Sequence, residues 1–231
     1  MPAWQSPPKP ADYAENRLIE AILEGYFPID SYLPAERELS EQLGVTRPTL
    51  REALQRLSRD GWLEIHQGRP TRVRNYWQEG NLGVLGAIAR QSQKLPPDFV
   101  TNLLSVRCLL APAYARLSVE RAPQVIASLL HTYQALPDQP EDFAAADWKL
   151  HHQLTVYSGN PIFTLILNGF SELYSYAGQI YFASGRSRQH SSDFYRDLMH
   201  AAENQDAIQA EAITRKVMQD SLELWRNRTS G

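Results

Sequence analysis

LPAERELSEQLGVTRPTLREALQRL, residues 33–57, reads as two short amphipathic helices joined by a tight turn. In the first, Leu39 and Leu43 stand one turn apart, and Gly44 supplies the left-handed residue that ends a helix. Thr46 is placed to cap the second, where Leu50, Ala53, Leu54 and Leu57 follow the spacing of a buried stripe. Arg47, Arg51, Gln55 and Ser58 then fall on the opposite face. The pattern predicts a helix-turn-helix with a basic second helix. A guanidinium donates in a planar fork that matches phosphates and guanine edges, although a merely solvated charged face has the same pattern.

The next residues, GWLEIHQGRPTRVRNYW, predict two short strands, Leu63–Ile65 and Thr71–Val73, around a turn at Gln67 and Gly68. That is a wing, and a Gly-Arg-Pro turn suits a minor groove or a phosphate track. It serves equally as a cap on the small domain's core. Residues 45–75 hold seven arginines against Glu52, Asp60 and Glu64, a net +4, whereas the first 44 residues carry three basic and eight acidic side chains. The overall charge of -3 therefore does not exclude a local basic surface, and the local field is what attracts nucleic acid.

With 231 residues and 43% hydrophobic content, the chain can bury one large core or two modest ones. No apolar run approaches the roughly 20 residues that span a bilayer, and no secretory signal pattern opens the chain, so a cytoplasmic protein without membrane contact is expected. The single cysteine, Cys108, lies among leucines and reads as a core residue.

The expected organisation is a mobile segment over 1–10, a winged helix-turn-helix domain over 11–74 that begins with a helix at Tyr13–Leu23, a linker over 75–81, and an all-helical domain over 82–231. Proline and glycine breaks divide that second domain into helices of about Leu82–Gln93, Asp98–Val119, Gln124–Leu136, Glu141–Tyr157, Ile162–Phe182, Ser191–Glu203 and Asp206–Asn227. Short connections make neighbours antiparallel, which predicts a helical bundle and a mainly α protein.

The opening stretch, the RDGW at 59–62 and the HQGRPT at 66–71 resemble the winged helix-turn-helix of the GntR family of bacterial transcription regulators. Farther along, WQEGNLGVLGAIAR (77–90), NLLSVR (102–107), SGNPI (158–162), LILNG (165–169) and YFA (181–183) look like its FadR subfamily of fatty-acid metabolism regulators. The resemblance implies a homodimer on a palindromic double-stranded DNA operator, acting as a repressor or activator rather than an enzyme. It implies DNA contacts at Arg37, Arg47, Thr49, Arg51 and the wing-tip Gly68. It further implies a long-chain acyl-CoA effector that releases the DNA, with Arg107, Tyr181, Ser221 and Trp225 at the effector site. Departures from the subfamily pattern stand at Pro48, Gln67 and the run Val217, Met218, Gln219.

The residues leave a rival open. A guanidinium in a mostly apolar helix, as Arg107 is, must find an anion, and Asp147 is a candidate independent of any effector. In DWKLHHQL (147–154), Asp147 and His151 stand at i, i+4 and could share a divalent metal. Related GntR regulators add two histidines to such a pair, often with a carboxylate effector. Here Arg196 takes one of those positions and the other falls near Gln219 and Asp220, which leaves His190 and His200 as substitutes. For an acyl-CoA hydrolase using His151 or His152 as base, the sequence offers no GxSxG elbow, phosphate loop or HExxH helix.

Overall fold

The computed structural model describes residues 9–91, 95 and 98–229. The chain forms two compact units, residues 1–91 and 92–231.

The first unit runs α1 (Pro10–Leu23), α2 (Glu36–Leu43), α3 (Arg47–Asp60), β1 (Leu63–Glu64), β2 (Arg72–Val73), a single turn α4 (Tyr76–Glu79) and α5 (Leu82–Arg90). Gly44 ends α2 at φ 66°, and the Thr46 side chain accepts the Thr49 N–H at 3.3 Å to start α3. A 14-residue helix is marginal by itself, so α3 owes its stability to Leu50, Ala53, Leu54 and Leu57, all buried, with α1 packed against it. Each buried leucine contributes roughly 1.5–3 kcal/mol. The strands pair antiparallel with Leu63 opposite Val73 and Glu64 opposite Arg72. They are shorter than the sequence suggests. The expected linker contains a helical turn because Tyr76 is drawn against the fully buried Trp62, ring centroids 4.6 Å apart.

The second unit contains α6 (Phe99–Arg121), α7 (Pro123–His131) with a 3-10 turn over Thr132–Ala135, α8 (Pro140–Tyr157), α9 (Pro161–Asn168), α10 (Ser171–Phe182), α11 (Gly185–Glu203) and α12 (Ala207–Thr229). The first and last of these, α6 and α12, pack along each other; α8 packs on α6, α9 and α10, and α11 on α7 and α12. Prolines 123, 140 and 161 each open a helix, where the missing N–H costs nothing.

Several boundaries differ from the sequence reading. The helix expected over Ile162–Phe182 is two, because α9 ends at Gly169 and Phe170 turns into the interior before α10 begins. The helix expected from Ser191 begins at Gly185, since the side chains it buries first are Ser187 and Ser191, which give no apolar signal. The helix from Leu82, which the sequence reading places at the start of the second domain, packs on α1 and α3. The expected mobile start (residues 1–8 of it), the helix end at Ser92 and Gln93 and the Pro96-Pro97 break lie outside the described residues. No helix among the described residues is long and apolar enough to cross a membrane.

Candidate functional site

The exposed face of α3 carries Arg47 and Arg51 on its first two turns, and Arg37 is exposed on α2. Among the described residues Arg47 and Arg37 have no carboxylate partner, so both guanidinium forks face solvent. Arg51 is engaged through Nε with Glu36 Oε2 at 2.7 Å. Thr49 is half-buried, and its hydroxyl lies 2.8 Å from that of Thr46 within the helix cap. Pro48 is exposed and sits in the first turn without disturbing the helix. At the wing, Gly68 adopts φ 74° with open space where a Cβ would stand, beside exposed Gln67 and Arg69.

The basic surface is narrower than the arginine count implies. Arg56 is held by Asp12 at 2.7 Å, Glu15 at 3.4 Å and Glu52 at 2.5 Å, tying α1 to α3. Arg72 is held by Glu64 at 2.7 Å and Asp30 at 2.6 Å. Arg74 faces Glu79 and Arg59 faces Asp60. Arg47 and Arg69 remain the unpaired arginines of residues 45–75 among those described.

In the second unit, Arg107, Tyr181, Ser221 and Trp225 line one cavity of about 990 Å³, counting the open space at its mouth. They come from α6, α10 and α12, and side chains such as Leu103, Leu104, Phe163 and Ile166 make its walls mostly apolar. Tyr181 donates to Ser221 Oγ at 3.1 Å, and burial raises its phenol above the usual range. Val217 and Met218 are buried in the same wall and add to its apolar surface.

The lining includes part of a buried polar cluster, with Arg107, Tyr114, Asp147 and Tyr174. Arg107 Nη2 donates to Asp147 Oδ2 at 2.9 Å, and the guanidinium carbon lies 4.9 Å from the centre of the Tyr174 ring. Tyr174 donates to Asp147 Oδ2, and Tyr195 donates to Oδ1 at 2.9 Å. Burial opposes ionisation of Asp147, yet the Arg107 charge and these donors hold its carboxyl below the usual value. Burial pushes both phenols well up, so they are neutral donors. His151 is fully buried; its Nδ1 lies 2.7 Å from the Tyr114 hydroxyl. Burial, with Arg107 nearby, pushes its pKa down to about 3, which leaves the imidazole neutral. Its Nε2 stands 3.8 Å from Asp147 Oδ1, too far for a hydrogen bond.

These contacts answer the question about Arg107: its anion is Asp147. They also bear on the metal reading. The face of Asp147 that a metal would need is occupied by a guanidinium and two phenols. No group of three His, Cys, Asp or Glu side chains converges on a metal-sized gap among the described residues. His200 is exposed and paired with Glu203, and Arg196 pairs with Asp193 and Asp197. A divalent ion does not fit. Tyr114, Tyr174 and Tyr195 carry no local signal in the sequence; they lie on three helices and converge only in the fold.

Comparison with known proteins agrees with this architecture. Residues 10–73 match the family described as bacterial regulatory proteins, gntR family, and residues 74–230 match the FadR C-terminal domain. A protein of Shewanella sp. (strain MR-7) named fatty acid metabolism regulator protein is 44% identical over 216 residues, covering 94% of this chain and 90% of that one. One of the same name from Shewanella amazonensis is 42% identical over 217 residues, with the same coverage. Among solved structures, that of Lar from Listeria monocytogenes matches with a TM-score of 0.56 at 16% identity, over 95% of this chain and 98% of that one, a likeness of fold alone. The chain belongs to the GntR family of bacterial transcription regulators, with a winged helix-turn-helix for DNA and a FadR C-terminal domain.

Proposed function

We propose that this protein regulates transcription of fatty-acid metabolism genes as a cytoplasmic homodimer on a palindromic operator, and that a long-chain acyl-CoA releases it. The observation that carries the effector half is the convergence of Arg107, Tyr181, Ser221 and Trp225, from three helices, on one mostly apolar cavity. Its walls suit an acyl chain, which gains roughly 0.8 kcal/mol for each buried methylene. Tyr181 and Ser221 offer hydroxyls to a thioester, and Arg107 is the cation in the lining of the same cavity. A ligand that engages Arg107 competes with Asp147, so occupation of the cavity alters the buried cluster. That gives ligand and DNA a physical basis for linkage, because only a ligand with different affinities for two states shifts them.

On the DNA side, Arg47 reads a base edge or clamps a phosphate from the first turn of α3, with Arg37, Thr49, Arg51 and the Gly68 turn completing the contact. The test is the fluorescence anisotropy of a labelled palindromic duplex at fixed salt while palmitoyl-CoA is titrated in, with free CoA and palmitate as controls. Release by the thioester alone is expected, with the thioester recovered intact, as it would not be from an enzyme. DNA must weaken acyl-CoA binding by the same factor that acyl-CoA weakens DNA binding. Duplex binding without release overturns the acyl-CoA assignment and leaves the operator assignment standing.

A further inference from the structure

We infer that Glu36 is a positioning residue for base reading: its carboxylate holds Arg51 by Nε and leaves the two terminal nitrogens of the guanidinium aimed outward as a fork. The inference rests on the proposal above that Arg51 meets DNA.

An arginine that reads guanine uses two parallel N–H groups, one to O6 and one to N7. The long side chain has high rotamer entropy, and whatever fixes it beforehand strengthens the contact. In this protein Glu36, the first residue of α2, reaches across the turn to Arg51 on α3, 15 residues later, with Oε2 2.7 Å from Nε. Both side chains are exposed enough to meet a ligand, at 61% for Arg51 and 36% for Glu36. Neither terminal nitrogen of Arg51 has a partner among the described residues. Arg56, on the same helix, is the contrast: its terminal nitrogens are taken by Asp12, Glu15 and Glu52, so nothing is left to offer DNA. Glu36 is itself steadied, since a carboxylate in the first turn of a helix lies at the positive end of the helix dipole. The pair therefore locks the angle of one guanidinium plane to the turn between the two helices. A carboxylate that bonds a guanidinium in parallel takes two of its nitrogens, as Asp138 does with Nε and Nη2 of Arg188; Glu36 takes Nε alone.

The experiment is an anisotropy competition series in which each base pair of one half-site is replaced in turn. Wild type, Arg51→Ala, Glu36→Ala, Glu36→Gln and the Arg51→Ala/Glu36→Ala double variant are compared at several salt concentrations. Arg51→Ala is expected to cut discrimination at one base pair by about tenfold or more. Glu36→Ala cuts discrimination at that same base pair several-fold, and the double variant is no worse than Arg51→Ala, the sign of a coupled pair. Glu36→Gln, which keeps an acceptor for Nε, retains most of the discrimination and supplies the answer should the alanine variant fold poorly. The salt dependence stays unchanged for both Glu36 variants, because no phosphate contact is lost.

Three results overturn the inference while leaving Arg51 a base reader. Glu36→Ala leaves discrimination intact, or weakens it at a different base pair because Glu36 accepts from a cytosine itself, or raises affinity equally on all sequences because Glu36 only competes with DNA. If Arg51→Ala changes no base preference, the base-reading role of Arg51 fails, and positioning fails with it.

Discussion

Arg107 on α6 and Asp147 on α8, 40 residues apart, meet at 2.9 Å in the wall of an apolar cavity. In such a place an ion pair is seldom a net source of stability, because desolvation takes back most of what attraction gives. Its consequence lies elsewhere. Each charge makes the other obligatory, and Tyr174 and Tyr195, kept neutral chiefly by burial, are oriented by the same carboxylate. The pair and its two phenols thus form a satisfied polar group beside a mostly apolar cavity, Arg107, Asp147 and Tyr174 lining it.

Replacing Asp147 by asparagine leaves a buried guanidinium without its counter-charge. The expected loss in urea unfolding is about 3 kcal/mol, the lower end of the range for broken buried pairs, because the Arg107 side chain keeps 17% of its surface exposed. Arg107→Met combined with Asp147→Asn recovers much of that loss, since neither charge is then stranded. A loss below about 1 kcal/mol for the single variant means that water already solvates the pair.

His151 predicts a pH dependence whose sign follows from its depressed pKa. The unfolded chain takes up a proton near the usual 6.5, whereas the folded imidazole does so only at about 3. Its contribution is therefore complete above pH 6.5 and is lost as pH falls towards 3, by up to about 1.4 kcal/mol per pH unit. Asp147, held below its usual 3.8, adds to the loss only under that pH. His151→Gln keeps a polar group for Tyr114 and should flatten the unfolding free energy between pH 6.5 and 4 by one proton relative to wild type. Parallel curves for the two proteins would show that His151 titrates normally in the fold.

What the sequence made legible depended on period and local rule. The α3 stripe, the Gly44 stop and the Thr46 cap are all fixed within a few residues, and the structure has them where the spacing puts them. Asp147 as the partner of Arg107 was legible as one of two alternatives, since a buried guanidinium needs an anion. The break at Gly169 was not, because the apolar pattern continues through it while Phe170 turns inward. Nor were the phenols around Asp147, because nothing local distinguishes them from ordinary core tyrosines. Counting arginines overstated the basic surface for a similar reason: whether Arg56 and Arg72 are free depends on acids brought to them by the fold from residues 12, 15 and 30.

The turn after α3 predicts a stability contrast between two glycines. Gly61 and Gly68 both have positive φ, at 96° and 74°, so an alanine strains the backbone at either, by roughly 1 kcal/mol. At Gly61 the new Cβ also lies 2.7 Å from the Gly80 Cα and 2.9 Å from the Glu79 carbonyl oxygen, and backbone cannot step aside as a side chain can. At Gly68 it meets nothing within 4 Å. Gly61→Ala should therefore lower the melting temperature distinctly more than Gly68→Ala. Equal shifts would mean that the α4 turn moves away at little cost.

Arg47 and Arg56 stand on the same helix and should fail in opposite ways. Arg47 has no partner among the described residues, so Arg47→Ala leaves the melting temperature nearly unchanged. It weakens operator binding by about 1–3 kcal/mol if the fork reads a base edge, with preference relaxed at that base. If it clamps a phosphate instead, the loss is uniform over all sequences and the slope of log affinity against log salt falls by about one. Arg56 joins α1 to α3 through Asp12 and Glu15, with its side chain 31% exposed. Arg56→Ala should thus lower stability by about 1 kcal/mol, a modest figure for a partly solvated network. Its salt slope should match wild type, because no cation is withdrawn from DNA. The two variants, measured by thermal unfolding and by salt-dependent anisotropy on the same duplex, separate the arginines that build the winged unit from those left to touch a ligand. A reduced salt slope for Arg56→Ala would reverse that division, with Arg56 leaving its acids to meet phosphate.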